Sequence, residues 1–164
     1  MWDCTGCGHC QKTGRCIFDQ DMVNDWREKA READGFVFGS PVYFAHPSGH
    51  LLSVMDRMFM AGGDAFAHKP TAAVVTARRA GTTASLDVIQ KHFTDAQMPI
   101  VSSTYWNMVF GPAPEQLERD QEGLQTMRNL GRNMSWLLRC IQTGRDQGIT
   151  PHPVETRHWT SFHQ

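Results

Sequence analysis

Four cysteines near the amino terminus carry the strongest chemical signal in the sequence. They follow the spacing C-x2-C-x2-C-x5-C. Their positions are Cys4, Cys7, Cys10 and Cys16. Two-residue gaps let a chain curl so that successive thiolates point at one centre, and the intervening glycines allow the positive φ values that such a curl needs. Those glycines are Gly6, Gly8 and Gly14. The pattern therefore predicts one shared binding centre.

The spacing favours a [4Fe-4S] cluster, because a C-x2-C-x2-C run holds three corners of a cubane and Cys16 is then the natural fourth ligand. Structural zinc is an alternative, although four-cysteine zinc sites usually pair two C-x2-C knuckles across a longer gap. A further alternative is that the cysteines carry no metal. Disulfides are disfavoured because nothing marks the chain as secreted. His9 offers a replacement ligand, but a loop histidine is usually solvated, and Cys140 is expected in the core of an apolar helix face.

Length and charge exclude several classes of protein. The chain has 164 residues, a mass of 18.5 kDa and a net charge of -1, which fits one domain without the basic stripe of a nucleic-acid-binding protein. No apolar run approaches the roughly 18 to 20 residues that span a bilayer, and the first ten residues lack the pattern of a secretory leader. We expect a cytoplasmic protein that binds neither nucleic acid nor membrane.

Beyond the cysteines, strand-like and helix-like segments alternate. Short apolar runs predict strands at 36–38, 72–75 and 99–102, and helical periodicity predicts helices at about 22–33, 48–62, 83–96 and 115–143. Asp19 and Asp21 are candidate caps of the first of these helices, and Ser48 of the second. An aromatic-rich segment occupies 105–110. The loops that connect the elements include SPVYFAHP at 40–47.

This alternation predicts an α/β domain with a parallel sheet and helices on both faces. The single domain, 1–164, divides into a cysteine loop at 1–20, an α/β core at 21–145 and an irregular tail at 146–164. In such sheets ligands bind beyond the carboxyl ends of the strands. The loops at 40–47, 77–82 and 103–113 are therefore the candidates for a binding site.

The run ADGFVFGSPVYFAHPSGHLLSVMDRMF, residues 33 to 59, follows the cysteines by about twenty residues. It resembles the iron-sulfur flavoproteins of the NADPH-dependent FMN reductase-like, flavodoxin-fold group. The resemblance spans about 1–110 and is specific as a combination of G-S-P-V-Y-F, S-G and D-R. It implies a flavodoxin-like three-layer sandwich, an FMN cofactor and a [4Fe-4S] cluster on the four cysteines.

The resemblance also implies which residues contact the flavin. The loop from Ser40 to Ser48 runs along the ring, and a second loop from Thr76 to Gly81 completes the site. The implied set is Ser40, Pro41, Val42, Tyr43, Phe44, Ser48, Gly49, Thr76 and Gly81. Arg78 and Arg79 depart from the small residues usual in the second loop. The alternative is that SPVYF is only a turn and Tyr43 a packed aromatic.

Members of the resembled group begin with a strand and a Gly/Ser/Thr-rich loop that wraps the FMN phosphate, ahead of the cysteines. This chain starts three residues before Cys4. The resemblance therefore implies an N-terminally incomplete flavodoxin-like sheet, with an unpaired apolar edge at 36–38. We expect that the chain is part of a longer flavoprotein; the alternative is that a partner covers this edge.

The expected function is that of an FMN-dependent oxidoreductase, in which NAD(P)H or a ferredoxin-type donor supplies electrons and the flavin exchanges them with the cluster. The alternatives are an NAD(P)H:FMN or quinone reductase without a cluster, and a non-catalytic zinc-stabilised interaction module. No side chain is an obvious acid-base catalyst. A homo-oligomer, dimer or tetramer, is expected from apolar surface at Tyr105-Trp106 and Met58-Phe59, and ferredoxin is a candidate redox partner.

Overall fold

A computed structural model describes residues 1–153 together with 155, 158, 160 and 162. Six α-helices, four strands and a short 3-10 helix at Gly63–Ala65 position the candidate site residues. The helices are α1 (His9–Thr13), α2 (Val23–Glu32), α3 (Gly49–Gly62), α4 (Thr82–Asp95), α5 (Pro114–Leu117) and α6 (Gln121–Asp146). The strands are β1 (Phe36–Tyr43), β2 (His46–Pro47), β3 (Thr71–Ala77) and β4 (Met108–Phe110).

The strands form one sheet in the order β2-β1-β3-β4. β1 pairs in parallel with β3 from Phe36 opposite Thr71 to Pro41 opposite Thr76, and β3 pairs in parallel with β4. The short β2 runs antiparallel to the end of β1. The predicted α/β fold with a mostly parallel sheet is confirmed.

Alternate side chains of β3 build two cores, one on each face of the sheet. Ala73 and Val75 pack with α2, α3 and α4 in the larger core, which holds Phe66, Ile89 and Phe93. Ala72 and Val74 pack on the other face against apolar residues of α6. Helices therefore cover both faces of β3, and the three-layer arrangement expected from the sequence is present.

β1 is less completely covered than β3. Among the described residues, β2 pairs only with Val42 and Tyr43, and no strand pairs with the same edge from Phe36 to Pro41. On the α6 side of the sheet, Val37 is 58% exposed. The unpaired apolar edge expected from the sequence is thus present in the described part of the chain.

Two strand predictions need correction. β1 continues beyond Phe38 to Tyr43, so the first half of the predicted SPVYFAHP loop is strand. The predicted strand at 99–102 contributes only an isolated bridge between Ile100 and Thr71. Just after this bridge, the carbonyl of Ser102 accepts a hydrogen bond from the side chain of Asn133 on α6. The third parallel strand is instead β4, within the predicted aromatic segment.

The predicted helix at 115–143 is interrupted before α6. The Asp120 carboxylate accepts hydrogen bonds from the backbone N–H groups of Gly123, at 2.9 Å, and Phe110, at 2.7 Å. It therefore caps a new helix and ties its start to β4. Cys140 is exposed, and its predicted burial is wrong. It lies about 90° around α6 from the apolar stripe that faces the sheet.

Helix α6 ends at Asp146, and the described residues beyond it contain no further helix or strand. Part of the tail expected at 146–164 lies outside the described residues. In the described part of the chain, no helix has the length and apolar character needed to cross a membrane.

The end of α3 is held by a buried arginine. Arg27 of α2 donates from Nε to the carbonyl of Ala61 at 2.9 Å and lies across Gly62. A Cβ at Gly62 would come within 2.5 Å of that Nε, whereas a Cβ at neighbouring Gly63 meets nothing within 4 Å. Gly62 therefore leaves the room that Arg27 occupies.

We expect Gly62→Ala to destabilise the chain by roughly 1–3 kcal/mol, since Arg27 must leave its hydrogen bond or the helix end must shift. Urea unfolding followed by circular dichroism measures this change. Gly63→Ala is the matched control and is expected to be neutral or slightly stabilising. Equal unfolding midpoints for both variants would contradict this account.

Candidate functional site

The segment predicted to line a flavin forms a β-hairpin at the carboxyl end of β1. Val42 pairs with Pro47 and Tyr43 with His46, which leaves Phe44 and Ala45 as a two-residue turn. Both turn residues have positive φ, 50° and 61°. Tight hairpin turns use such angles, and Asn-Gly is their usual sequence. The phenyl ring of Phe44 lies fully in solvent.

A phenylalanine and an alanine at these angles each store strain, on the order of 1 kcal/mol or more. The exposed Phe44 ring regains none of that cost by packing. A strained turn that presents aromatic surface is typical of a ligand-contacting segment. Tyr43 is also exposed beside it. The alternative interpretation of Tyr43 as a packed aromatic is wrong.

The second predicted loop touches the first. Gly81 lies at the start of α4 with φ 89°, and a Cβ there would overlap the Cα of Ala45. The hairpin turn and the β3–α4 loop are therefore in backbone contact. Because the carboxyl ends of β1 and β3 lie at one edge of the sheet, this contact brings the two predicted segments into a single site.

Two buried polar atoms of this part of the chain have no hydrogen-bond partner. One is the hydroxyl Oγ1 of Thr76, at the carboxyl end of β3; the other is the amide Oδ1 of Asn107, at the amino end of β4, one residue before the pair of Met108 with Val75. An unpaired buried polar group costs on the order of 1–3 kcal/mol, so such atoms usually have a partner when the protein works.

The predicted flavin residues differ in what their side chains do. The Ser40 hydroxyl donates to the carbonyl of Pro41 and accepts from the backbone N–H of Ser48, both at 2.8 Å. It is therefore used within the hairpin. Val42 packs against the larger core. Pro41 and Gly49 are exposed, and these two lie with the exposed aromatics around the hairpin.

The cysteine segment forms the predicted curl. Gly6, Gly8 and Gly14 all have positive φ, between 64° and 70°. The short helix α1 lies between the last two of these glycines, and the N–H of Gly14 closes it by donating to the carbonyl of Cys10 at 2.8 Å. The glycines thus allow the reversals that the spacing predicted.

All four cysteines of this segment line one cavity, whose inner wall includes Arg57, Met60 and Ala61 of α3. They are free thiols, and His9 is not among the lining residues. Among the described residues, no three His, Cys, Asp or Glu side chains converge on a point that one ion would occupy. The convergence of thiolates that the spacing predicted is therefore not seen among the described residues. Four thiols around one cavity are still the kind of donor that both an iron-sulfur cluster and structural zinc use.

Cys16 has the most contacts of the four. Its backbone N–H donates to Oδ1 of Asn24 at 2.9 Å, and its carbonyl accepts from Nδ2 of the same side chain at 3.1 Å. Its Sγ accepts from Nε of Arg57 at 3.2 Å. Asn24 and Arg57 are both 1% exposed. Buried polar groups on α2 and α3 therefore fix the position of Cys16.

Arg57 also forms a salt bridge with Asp21, 2.5 Å from Nη1 to Oδ2. This hydrogen-bonded pairing holds the pKa of the Asp21 carboxyl below its usual range. Burial alone would lower the pKa of the guanidinium, but Asp21 and Cys16 outweigh that effect and raise it. Both groups of the pair are therefore charged at neutral pH. Asp21 also accepts from the N–H of Val23, but the N-cap position of α2 is Met22, so neither predicted cap occupies it; Asp19 contacts Arg15 and Asn24 instead.

Helix α3 joins the two regions. It begins at Gly49, directly after the hairpin, and reaches the cysteine cavity at Arg57, about 12 Å along the helix axis at 1.5 Å per residue. Near its start, Asp3 accepts a hydrogen bond from Ser53, which attaches the segment before Cys4 to the same helix. The hairpin and the cysteine cavity are thus both attached to α3.

Sequence reasoning missed three residues here. Arg57 was recognised only as part of a D-R pair; the signal was a charged residue on an otherwise apolar helix face. Asp21 was assigned to capping alone. Asn107 gave no signal, because a single asparagine beside aromatics is usual in loops.

Comparison with known proteins agrees with this geometry. The family model described as NADPH-dependent FMN reductase matches residues 4–113. An iron-sulfur flavoprotein of Methanocaldococcus jannaschii is 32% identical over 147 residues, which cover 85% of this chain and 76% of the relative. An iron-sulfur flavoprotein of Methanosarcina thermophila is 28% identical over 150 residues, 88% of this chain and 76% of the relative.

Solved structures support the fold. An oxidoreductase from Corynebacterium diphtheriae superposes with a TM-score of 0.53 at 20% identity, covering 76% of this chain. The match spans only 64% of the Corynebacterium chain. RosB, solved with 8-demethyl-8-formylriboflavin-5'-phosphate, superposes with a TM-score of 0.54 at 13% identity, covering 100% of this chain and 74% of that protein.

Because the sequence identities to these solved structures are low, the structural matches support only the flavodoxin-like fold. The family match covers most of the chain, and it includes both the cysteine segment and the two loops in contact at Gly81. The protein therefore belongs to the NADPH-dependent FMN reductase family, and it is similar over most of its length to archaeal iron-sulfur flavoproteins.

Proposed function

We propose that the chain is an FMN-dependent oxidoreductase that passes electrons between a flavin at the hairpin and a [4Fe-4S] cluster on Cys4, Cys7, Cys10 and Cys16. One observation carries the proposal. The cavity lined by the four free cysteines lies against α3, and α3 begins directly after the hairpin that was predicted to contact the flavin. The two curated relatives described above are named iron-sulfur flavoproteins, which supports the same assignment.

The chain's own residues have defined roles in this proposal. Tyr43 and Phe44 offer aromatic surface to a flat ring. Backbone N–H groups of the hairpin and of the α4 start, beside Gly81, supply further donors. FMN, when bound, accepts or gives two electrons together or one at a time, whereas an iron-sulfur cluster transfers one.

The proposed electron source is NAD(P)H or a reduced ferredoxin-type protein. The exposed Arg78 and Arg79 follow β3 at the edge of the site and offer positive charge to an anionic donor. We further propose that copies of the chain associate as a dimer or tetramer in the cytoplasm. Exposed apolar residues, including Val37, Tyr105 and Trp106, support association because a monomer rarely leaves such surface in water. Met58 and Phe59, which were also expected to offer apolar surface, pack in the larger core instead.

The test is cofactor analysis of the anaerobically purified full chain, with Cys7→Ser and Cys140→Ser as a matched pair. We expect bound FMN, and about four iron and four sulfide per chain, in the wild type and in Cys140→Ser, because Cys140 is exposed on α6. Cys7→Ser is expected to lose most of the iron and to keep the flavin, since only a cluster ligand changes.

Other results would select the alternatives. One zinc per chain with neither flavin nor sulfide indicates the zinc-stabilised interaction module. Flavin without iron, together with NAD(P)H-dependent reduction that is unchanged in Cys7→Ser, indicates the simple flavin or quinone reductase. Stopped-flow reduction by NADPH, NADH and reduced ferredoxin then ranks the electron donors. A wild-type chain that binds neither flavin nor iron contradicts the proposal.

A further inference from the structure

Arg57 is an unusual residue for the inner wall of a cysteine cavity. It lies in α3, is 1% exposed, and reaches the cavity from the larger core. A charged group buried this deeply needs a partner for every donor to offset its desolvation. The identity of these partners shows how the Arg57 side chain is oriented.

All five N–H groups of the guanidinium have acceptors. Nη1 donates to Asp21 and to the carbonyl of Trp2, and Nη2 donates to Asp21 and to the carbonyl of Phe18. These four donors form the fork that matches a carboxylate and two carbonyls. The remaining donor, Nε, points at Sγ of Cys16, 3.2 Å away.

Aromatic side chains close the outer side of this arrangement. The guanidinium carbon lies 5.5 Å from the ring centre of Phe18, and that ring stacks on Trp2 with an interplanar angle of 13°. The Arg57 side chain is 1% exposed, so water has little access to its side of the Arg57–Cys16 contact. A positive charge acts more strongly on its neighbour where water does not screen it.

We propose that Arg57 is a positioning residue that holds Cys16 and, through the Nε–Sγ hydrogen bond, raises the reduction potential of a cluster bound at the four cysteines. This inference rests on the proposed function. Reduction adds one electron to a cluster that is already bound by thiolates, and a fixed cation beside one sulfur stabilises the more negative state. The negative charge of Asp21 reduces this effect on the potential. Asp21 binds Nη1 and Nη2, however, so it lies on the side of the guanidinium away from the Cys16 sulfur.

The experiment compares Arg57→Lys with Arg27→Lys in the full, cluster-loaded chain. Arg27 is also buried on a neighbouring helix, but its Nε donates to the carbonyl of Ala61 rather than to a thiol. Redox titration followed by electron paramagnetic resonance is expected to give a more negative midpoint potential in Arg57→Lys. The Arg27→Lys potential is expected to equal that of the wild type. Lysine keeps the positive charge but lacks the planar guanidinium. A shift of the midpoint potential in Arg57→Lys therefore reports the loss of the Nε–Sγ hydrogen bond.

A second measurement does not depend on the variant folding. Pulsed electron paramagnetic resonance of the reduced wild-type cluster, in protein labelled with [15N]arginine, is expected to show one coupled arginine nitrogen. The coupling is expected to persist in Arg27→Lys. Absence of that coupling in a wild-type chain with full iron content overturns the inference while leaving the proposed function intact. So does an Arg57→Lys potential equal to that of the wild type. A wild-type chain without iron overturns both.

Discussion

Replacing Gly81 with alanine is expected to weaken FMN binding by at least tenfold and to destabilise the chain by roughly 2–4 kcal/mol. The new Cβ would overlap Ala45, and the backbone φ of 89° is one that alanine adopts only under strain. The hairpin must then move away from the β3–α4 loop, and the two halves of the flavin-type site separate. Fluorescence titration with FMN and urea unfolding measure the two effects.

The control variant Gly148→Ala distinguishes the effect of backbone strain from that of steric overlap. Gly148 has a similar φ of 81°, but a Cβ there meets nothing within 4 Å, and the residue lies just beyond α6. We expect it to lose about 1 kcal/mol of stability and no FMN affinity. If Gly81→Ala bound FMN as the wild type does, the contact between the two loops would not be what holds the site together.

Replacing Asp21 with asparagine is expected to lower the free energy of unfolding by about 3 kcal/mol. The substitution removes the only carboxylate that contacts Arg57 within the described residues, and it leaves a buried guanidinium without its counter-charge. Asp21 is itself only 14% exposed, so water compensates little. Urea unfolding of wild type and variant under identical anaerobic conditions measures the difference.

The matched control is Asp64→Asn. Asp64 pairs with Arg31 at 2.9 Å, but both side chains are well exposed. Such pairs contribute about 0–1 kcal/mol, so little change is expected. If both variants lost equal stability, burial of Arg57 would not be the reason for the effect of Asp21→Asn.

The sequence was sufficient for the features that depend on short-range pattern. Apolar runs and helical periodicity located β1, β3, α3 and α4, because their buried faces repeat at the period of the element. The cysteine spacing and its glycines likewise predicted the curl. In each of these cases, the signal lies within a few consecutive residues.

What the sequence did not disclose depends on contacts between distant segments. The hairpin was taken for a loop because Phe44-Ala45 lacks the Asn-Gly signal of a tight turn, and only contact with Gly81 reveals its shape. β4 was missed because its three residues carry too little pattern to outweigh the aromatics before it. The role of Arg57 depends on Asp21, 36 residues away, and on Cys16, 41 residues away.

Helix α3 also sets an angular relation between the two proposed redox regions. Each residue of an α-helix advances the chain by 1.5 Å and turns it by about 100°. Inserting or deleting one residue between Gly49 and Arg57 would therefore change the separation by little, but it would rotate the guanidinium by more than a quarter turn away from Cys16. The number of residues between Gly49 and Arg57 thus determines the direction in which the two regions face each other. Only insertions or deletions close to a whole number of helical turns would preserve that direction.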